Sequence, residues 1–307
     1  MNSEQNHVIG INPKSLILYF KQYRYSFIAI FLSSMILLSI YISNIAITYR
    51  SSAVLYSSDE SNQGSASSQL GGLASMAGIN LSSGDSNVSL LAIEKIKSKD
   101  FIDMLLTNYD FLPYLFAVKS FIPSTEEVIF NDSIYDAKTK KWTRKAKEPY
   151  SIIPSIEESH RQYKKILNIA VNESNGFVYI SIDHKSPIFA KYLLEIIIFE
   201  INTSMKNDAL NKSNLSLDYL YKQYTKTPLS EIQTVITSVI ETEIKNAMMV
   251  NSKINYVFDI IDSPNTPQKR YKPDFILYYI FAVMISFIIS ISYIAARIGV
   301  SIFYNEL

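Results

Sequence analysis

The sequence predicts an α+β membrane protein in which two transmembrane helices flank an α/β base, with one long helix projecting from the base and a second returning to it. Three observations carry that expectation. Tyr25–Tyr49 has no charged residue over 25 positions, and Phe275–Ala296 has none over 22. About twenty apolar residues cross a hydrocarbon core at roughly 1.5 Å per residue. Between the two runs, Ser186-Pro187 opens a stretch with no helix breaker until Thr227-Pro228.

The layout is an N-terminal tail (1–24), a first span (25–49), a polar segment (50–273), a second span (274–297) and a C-terminal tail (298–307). Ser33, Ser34, Ser39 and Ser43 do not spoil the first span, because a helical serine bonds a carbonyl one turn back. That run is too long for the ~7–15-residue core of a secretory signal, and no small-residue cleavage site follows it. Two spans place both tails on one side. Lys14, Lys21, Arg24 and Arg297 on the tail side balance Arg50, Lys269, Arg270 and Lys272 on the other. The first helix usually dominates orientation, so the tails are expected in the cytoplasm.

Within the polar segment the base is expected from 50–185 and 253–273, and the helical projection from 186–252. Ala53–Tyr56 reads as a strand. Residues 57–86 are Ser/Gly-rich and read as a loop. Val88–Asn108 has helical periodicity, with Asn87 as its cap. Pro113–Pro154 reads as irregular or as short strands, with a turn at DAKTKKW. Glu157–Lys165 suits a short helix. Ile166–Val171 and Phe177–Ile182 flank NESNG, whose Asn175-Gly176 is a hairpin signal, and Val178, Ile180 and Ile182 share a face that should be buried. Ser186 caps the long helix and Pro187 occupies its first position; forty residues extend roughly 60 Å. Thr227-Pro228 repeats that start signal. Leu229, Ile232, Val235, Ile236, Val239, Ile240 and Ile244 then mark a second amphipathic helix. Ile254–Ile261 reads as a strand. It and Ala53–Tyr56 are each tethered to a span, so they should lie close together.

Composition excludes several functions. A net charge of +1 argues against nucleic acid as a partner. The chain has no Cys, so disulfides, thiolate metal sites and Cys nucleophiles are out. His7, His160 and His184 lack metal-ligand spacing. Asp59-Glu60, Glu126-Glu127 and Glu157-Glu158 are adjacent pairs, which do not face one another. Five of the 8 glycines fall within residues 64–84. Gly72 and Gly78 have the wrong spacing for a phosphate loop and no Lys follows. No catalytic, cofactor or metal residue is expected, and no enzyme activity.

The ordered pieces SSAVLYSSDE, LGGLASMAGINLSSGDSNVSLLAIEKIKSKDF, YDAKTKKWTRK, VYISIDHKSPIFAKYLLEIII, SEIQTVITSVIETEIKNAMM and YVFDIIDSPNTPQKRYKP resemble the Wzz-type chain-length determinants, the polysaccharide co-polymerases of bacterial surface polysaccharide biosynthesis. The resemblance implies a non-enzymatic inner-membrane protein with its bulk in the periplasm. It implies ring-like homo-oligomers that set the modal length of O-antigen or related polymers, working with a Wzy-type polymerase on lipid-linked glycan. Some relatives in the wider group carry a tyrosine kinase after the second span; with about ten residues left there, none is expected. The family's second span tends to contain glycine, whereas Gly299 falls after the span here, leaving Ala282, Ser286, Ser290, Ser292 and Ala295 as the small residues for helix packing. Two other readings stand beside this one: an export component bridging an inner-membrane transporter and an outer-membrane channel, and a two-span periplasmic sensor.

Three surfaces are candidates for contacts. Pro264, Pro267 and Pro273 with Lys269, Arg270 and Lys272 form either a rigid extended spacer or a contact for the polymerase or lipid phosphates. Tyr192, Leu193, Ile196, Ile197 and Phe199 cover more than one face of the long helix, which points to subunit contacts. Gly71, Gly72 and Gly78 belong to a base loop at a subunit contact or the lipid interface.

Overall fold

The computed structural model describes residues 24–57 and 86–305. They fall into two units, a helical one drawn from Met1–Ile47 and Lys272–Leu307 and an α/β one, Thr48–Tyr271.

The helical unit pairs α1 (Arg24–Ser43) with α8 (Phe275–Asn305). Arg24–Ile42 and Phe275–Arg297 are long and apolar enough to cross a membrane. The Ser33 and Ser34 hydroxyls donate to the Ile30 and Phe31 carbonyls at 3.0 Å, which satisfies them within the helix. The first helix ends six residues before the expected limit at Tyr49. Asn44 stops it, donating its amide to the Ile40 carbonyl at 2.8 Å while its backbone N–H turns to Tyr41. At the other end, α8 runs past residue 297 to Asn305, so most of the expected C-terminal tail is helical. Ala282, Ser286 and Ser290, four residues apart, are buried, whereas Ser292 and Ala295 face outward. Small side chains at that spacing let two helices approach closely without glycine. Phe27 of α1 meets Phe287 of α8 edge-on, with ring centres 5.9 Å apart.

The α/β unit is built on an antiparallel four-stranded sheet of order β6-β7-β1-β8. Its strands are β1 (Tyr49–Ser57), β6 (Leu167–Val171), β7 (Val178–His184) and β8 (Phe258–Asp262). Pairing of β1 with β8, about two hundred residues apart, meets the expectation that the two tethered strands meet. Gly176 takes φ 69° in the β6–β7 hairpin, a conformation open to glycine at little cost. Alternation then turns Val178, Ile180 and Ile182 inward, along with Ala53 and Leu55 of β1.

Helices α2 (Ser86–Lys97), α3 (Lys99–Asn108), α4 (Leu112–Ala117) and α5 (Ile156–Ile166) contribute to this core. The expected single helix over 88–108 is two. The Ser98 hydroxyl accepts from the Phe101 N–H and starts α3 afresh. Asn87 lies inside α2 rather than capping it. Ser155 and Glu158 form a capping box on α5, a device of about 1 kcal/mol. Short antiparallel pairs, β2 (Val118–Ile122) with β3 (Glu127–Phe130) and β4 (Tyr135–Asp136) with β5 (Lys141–Trp142), fill the Pro-broken region. In the second, Asp136 accepts from Lys138 and Thr139 to close the DAKTKKW turn.

Helix α6 (Pro187–Lys226) is 40 residues long, with Ser186 as its cap and Pro187 at its start. Its buried residues end at Met205 apart from Ser213. Up to that point it packs on β1 and β7; each fully buried Leu or Ile there contributes roughly 1.5–3 kcal/mol. The rest is flanked by α7 (Ser230–Ser252), of which Ile240 is the buried residue. Thr227 serves as the C-cap of α6, not the start of α7, whose N-cap is Leu229. With three residues between the helices, the Thr227 hydroxyl is taken by the Gln223 carbonyl at 2.9 Å.

Candidate functional site

The chain enters and leaves the α/β unit at one place, and a polar clasp forms there. The N–H of Tyr271 donates to the Thr48 carbonyl at 2.8 Å. Arg50, the second residue of β1, donates through Nε and Nη2 to the two carboxylate oxygens of Asp183 at 2.5 and 2.7 Å. Its guanidinium also lies 3.7 Å from the centre of the Tyr271 ring. A planar fork can do both at once, which an ammonium cannot. The hydrogen bond to Asp183 raises the Arg50 pKa above its ordinary value. Register explains the meeting, since Arg50 pairs directly with Asp183 across β1 and β7. The Ser51 hydroxyl adds a bond to the Asn265 carbonyl at 2.8 Å.

These contacts pin the proline-rich segment against β1. Pro264 is buried and Pro267 half-buried, while Lys269 and Arg270 are exposed. Pro264 is therefore part of the packing and not a contact surface. In the helical unit Lys272 is exposed, whereas Pro273 is buried and presents no free surface. Gly71, Gly72 and Gly78 lie outside the described residues.

Of the five residues expected at subunit contacts, three are core. Leu193, Ile196 and Ile197 belong to the hydrophobic cluster with Ala53, Leu55 and Ile182. The wide apolar surface of the first half of α6 is consumed within the chain, by the sheet and by α2. Tyr192 and Phe199 remain exposed, Phe199 at 62%. Further along, Leu215, Tyr219, Leu229, Ile232, Val235 and Val239 are all exposed on α6, α7 and the turn between them.

The sequence reading missed two arrangements. Asn202, buried in α6, donates its amide to the Ile198 and Phe258 carbonyls at 3.0 and 3.2 Å. Its oxygen accepts from the Val257 and Phe258 N–H groups at 2.8 and 3.0 Å. A single Asn thus closes the backbone of β8 onto α6. Its signal was an amide in the apolar run EIIIFEIN. The second is the Arg50 clasp; in the sequence Arg50 is one more charge flanking an apolar run.

His160 and His184 are both engaged structurally. His160 Nε2 lies 2.7 Å from the Lys97 carbonyl. His184 is buried; its Nδ1 accepts from the Ser186 N–H at 3.0 Å and Nε2 lies 3.1 Å from the Tyr114 carbonyl. Burial holds its pKa down to about 4. Tyr109 donates to Glu200 at 2.6 Å, which pushes the phenol up to about 12. Among the described residues no group of acidic residues and histidines is arranged to hold a metal ion.

No family model and no curated protein matches the chain. Among solved structures it is similar to a full-length bacterial polysaccharide co-polymerase at 10% identity and TM-score 0.42, covering 94% of this chain and 98% of that one. It is also similar to a fragment of WzzB, a polysaccharide co-polymerase from Salmonella Typhimurium, at 12% identity and TM-score 0.34, covering 74% of this chain and all of that fragment.

Proposed function

We propose that this chain regulates the length of a bacterial surface polysaccharide without making or breaking bonds itself. It acts as an oligomeric scaffold beside a Wzy-type polymerase. The α/β unit lies in the periplasm, α1 and α8 cross the inner membrane, and both termini are cytoplasmic.

The observation that carries this reading is the α6–α7 hairpin. Its outer half presents a row of large apolar side chains, Leu215, Tyr219, Leu229, Ile232 and Val235 among them, with no cover among the described residues. Patches of that kind mark association surfaces. A helix of roughly 60 Å carrying such a row suits a wall built from several copies. Two spanning helices tied to one α/β unit suit a partner already in the membrane. The exposed Lys269 and Arg270, held beside the clasp, are the proposed contact for that partner or for lipid phosphates.

A deletion strain tests the reading. The silver-stained lipopolysaccharide ladder should show normal export and a changed length distribution. An unchanged ladder overturns length control, and finished polymer trapped inside the cell points instead to an export role. In the complemented strain, Lys269→Glu with Arg270→Glu should shift or broaden the ladder at normal protein level.

A further inference from the structure

We infer that the face of α5 turned toward Phe116 and Tyr150 binds one acidic pyranose unit, of the hexuronate class, in a saccharide chain. The inference rests on the function proposed above and names what the scaffold touches.

Glu158, Arg161, Gln162 and Lys165 recur at helical spacing and share one side of α5. Ser159, Tyr163 and Ile166, on the other side, are buried. Together with Phe116 at the end of α4 and Tyr150 from the segment before α5, the four line a cavity of about 160 Å³. Pockets for drug-sized ligands run ~300–1,000 Å³, so this one takes a single small ring and not a nucleotide. Two walls are aromatic and one is a row of hydrogen-bonding side chains. A sugar matches both, with apolar ring faces and a rim of hydroxyls. A purely apolar ligand would strip water from Arg161 and Lys165 with nothing in return. Bare phosphate would leave Phe116 and Tyr150 idle.

Charge selects the class of sugar. Arg144 donates to both Glu158 oxygens at 2.8 Å, so that carboxylate is already balanced. Glu158 also attracts Arg161, but with Arg144 already bonded to it, Arg161 and Lys165 together leave the cavity with an excess of positive charge, and the pairing of a guanidinium with a carboxylate is strong and directional. The side chains of Gln162 and Lys165 make no hydrogen bond among the described residues, so both are available to a ligand.

The cavity is also held ready before any ligand arrives. The same Arg144 guanidinium donates to the Ser151 and Ile152 carbonyls at 2.5 and 2.8 Å. One side chain thus fixes Glu158 and the segment that carries Tyr150. The Ser155 N–H adds a third bond to Glu158 at 3.1 Å. A carboxylate has about four acceptor positions, so one remains for a sugar hydroxyl. Phe116 is braced edge-on by Trp142, with ring centres 6.5 Å apart.

The test uses the full chain in detergent micelles and saturation-transfer difference NMR. Methyl glucuronide is the probe, with methyl glucoside and inorganic phosphate as controls. The glucuronide should give the stronger signal. Arg161→Gln should weaken its binding about tenfold, the scale of one charged hydrogen bond, and Tyr150→Ala should weaken it as well. Both substituted residues are exposed, and an unchanged circular dichroism spectrum certifies the fold. Equal glucuronide and glucoside signals overturn the inference. So does displacement by equimolar phosphate, or wild-type binding in both variants. A changed ladder in the deletion strain with no glucuronide signal sinks this inference alone. A variant-sensitive glucuronide signal with an unchanged ladder supports the site and sinks length control.

Discussion

The guanidinium of Arg50 lies 3.7 Å from the centre of the Tyr271 ring while its Nε and Nη2 bond the Asp183 carboxylate. Arg50 stands near the start of the α/β unit and Tyr271 is its last residue. The pair therefore ties the incoming chain to the outgoing one. Arg50→Lys should cost about 1–2 kcal/mol, because an ammonium loses one of the two bonds and the planar stacking. In a double-mutant cycle, Arg50→Ala and Asp183→Ala should couple by about 1–3 kcal/mol in chemical denaturation. Additive effects would show that the clasp contributes nothing.

Asn202→Leu should be among the most damaging single changes in α6. It keeps the branched outline of the side chain but orphans the Val257 and Phe258 N–H groups, which are buried. Each orphan costs about 1–3 kcal/mol. Hydrogen exchange at those two amides should accelerate before the rest of the sheet does. Uniform acceleration would mean that the amide acts only through global stability.

Folding should weaken on mild acidification through His184. Buried and neutral, it holds its proton only below a pKa of about 4, against about 6.5 in the unfolded chain. Between those values the unfolded chain binds more protons, so this contribution is complete above pH 6.5 and is lost as pH falls toward 4. The whole effect is ~3 kcal/mol. Glu158 works in the same direction, but its pKa is lowered by Arg144 from 4.5, so its stabilisation is lost below that value. Denaturation midpoints between pH 6.5 and 4.5, above the range of Glu158, should show the slope in wild type and lose it in His184→Gln. A slope that survives the substitution would assign it elsewhere.

The Ser286 hydroxyl is buried between α1 and α8 with no partner among the described residues. Ser286→Ala should therefore be neutral or slightly stabilising. Ser286→Leu should separate the helices at a cost of about 1–3 kcal/mol. The chain has no native cysteine, so a Phe27→Cys, Phe287→Cys pair reports the contact cleanly. Its disulfide yield should hold in the Ala variant and fall in the Leu variant.

Charges placed on the outer hairpin should act on assembly and spare the fold. Ile232→Glu with Val235→Glu changes two exposed residues, Val235 being 62% exposed. Light scattering of the detergent-solubilised protein should report a smaller particle than wild type, with unchanged circular dichroism. A wild-type particle of monomer mass would remove the association surface altogether.

Much of this architecture was legible in local pattern. The uncharged runs, Ser186-Pro187 and Asn175-Gly176 act through their own neighbours, so the two long apolar helices, the start of α6 and the β6–β7 hairpin could be read directly. The pairing of β1 with β8 followed from tethering, a constraint of chain connectivity. Burial was not legible in the same way. Leu193 and Phe199 are both large, apolar and helical, yet one is core and the other exposed, because only the sheet beneath α6 separates them. Asn202, Arg50 and the cavity on α5 depend on groups that lie far apart in the chain. Arg50 meets Asp183 across 133 positions and Asn202 meets Phe258 across 56. The sequence by itself determined the two long apolar helices, the start of α6 and the β6–β7 hairpin, because those depend on residues within a turn or two. Only the tertiary structure decided which apolar residues are left for a partner and which polar ones are paired, because burial and charge pairing are set by whatever the fold packs alongside.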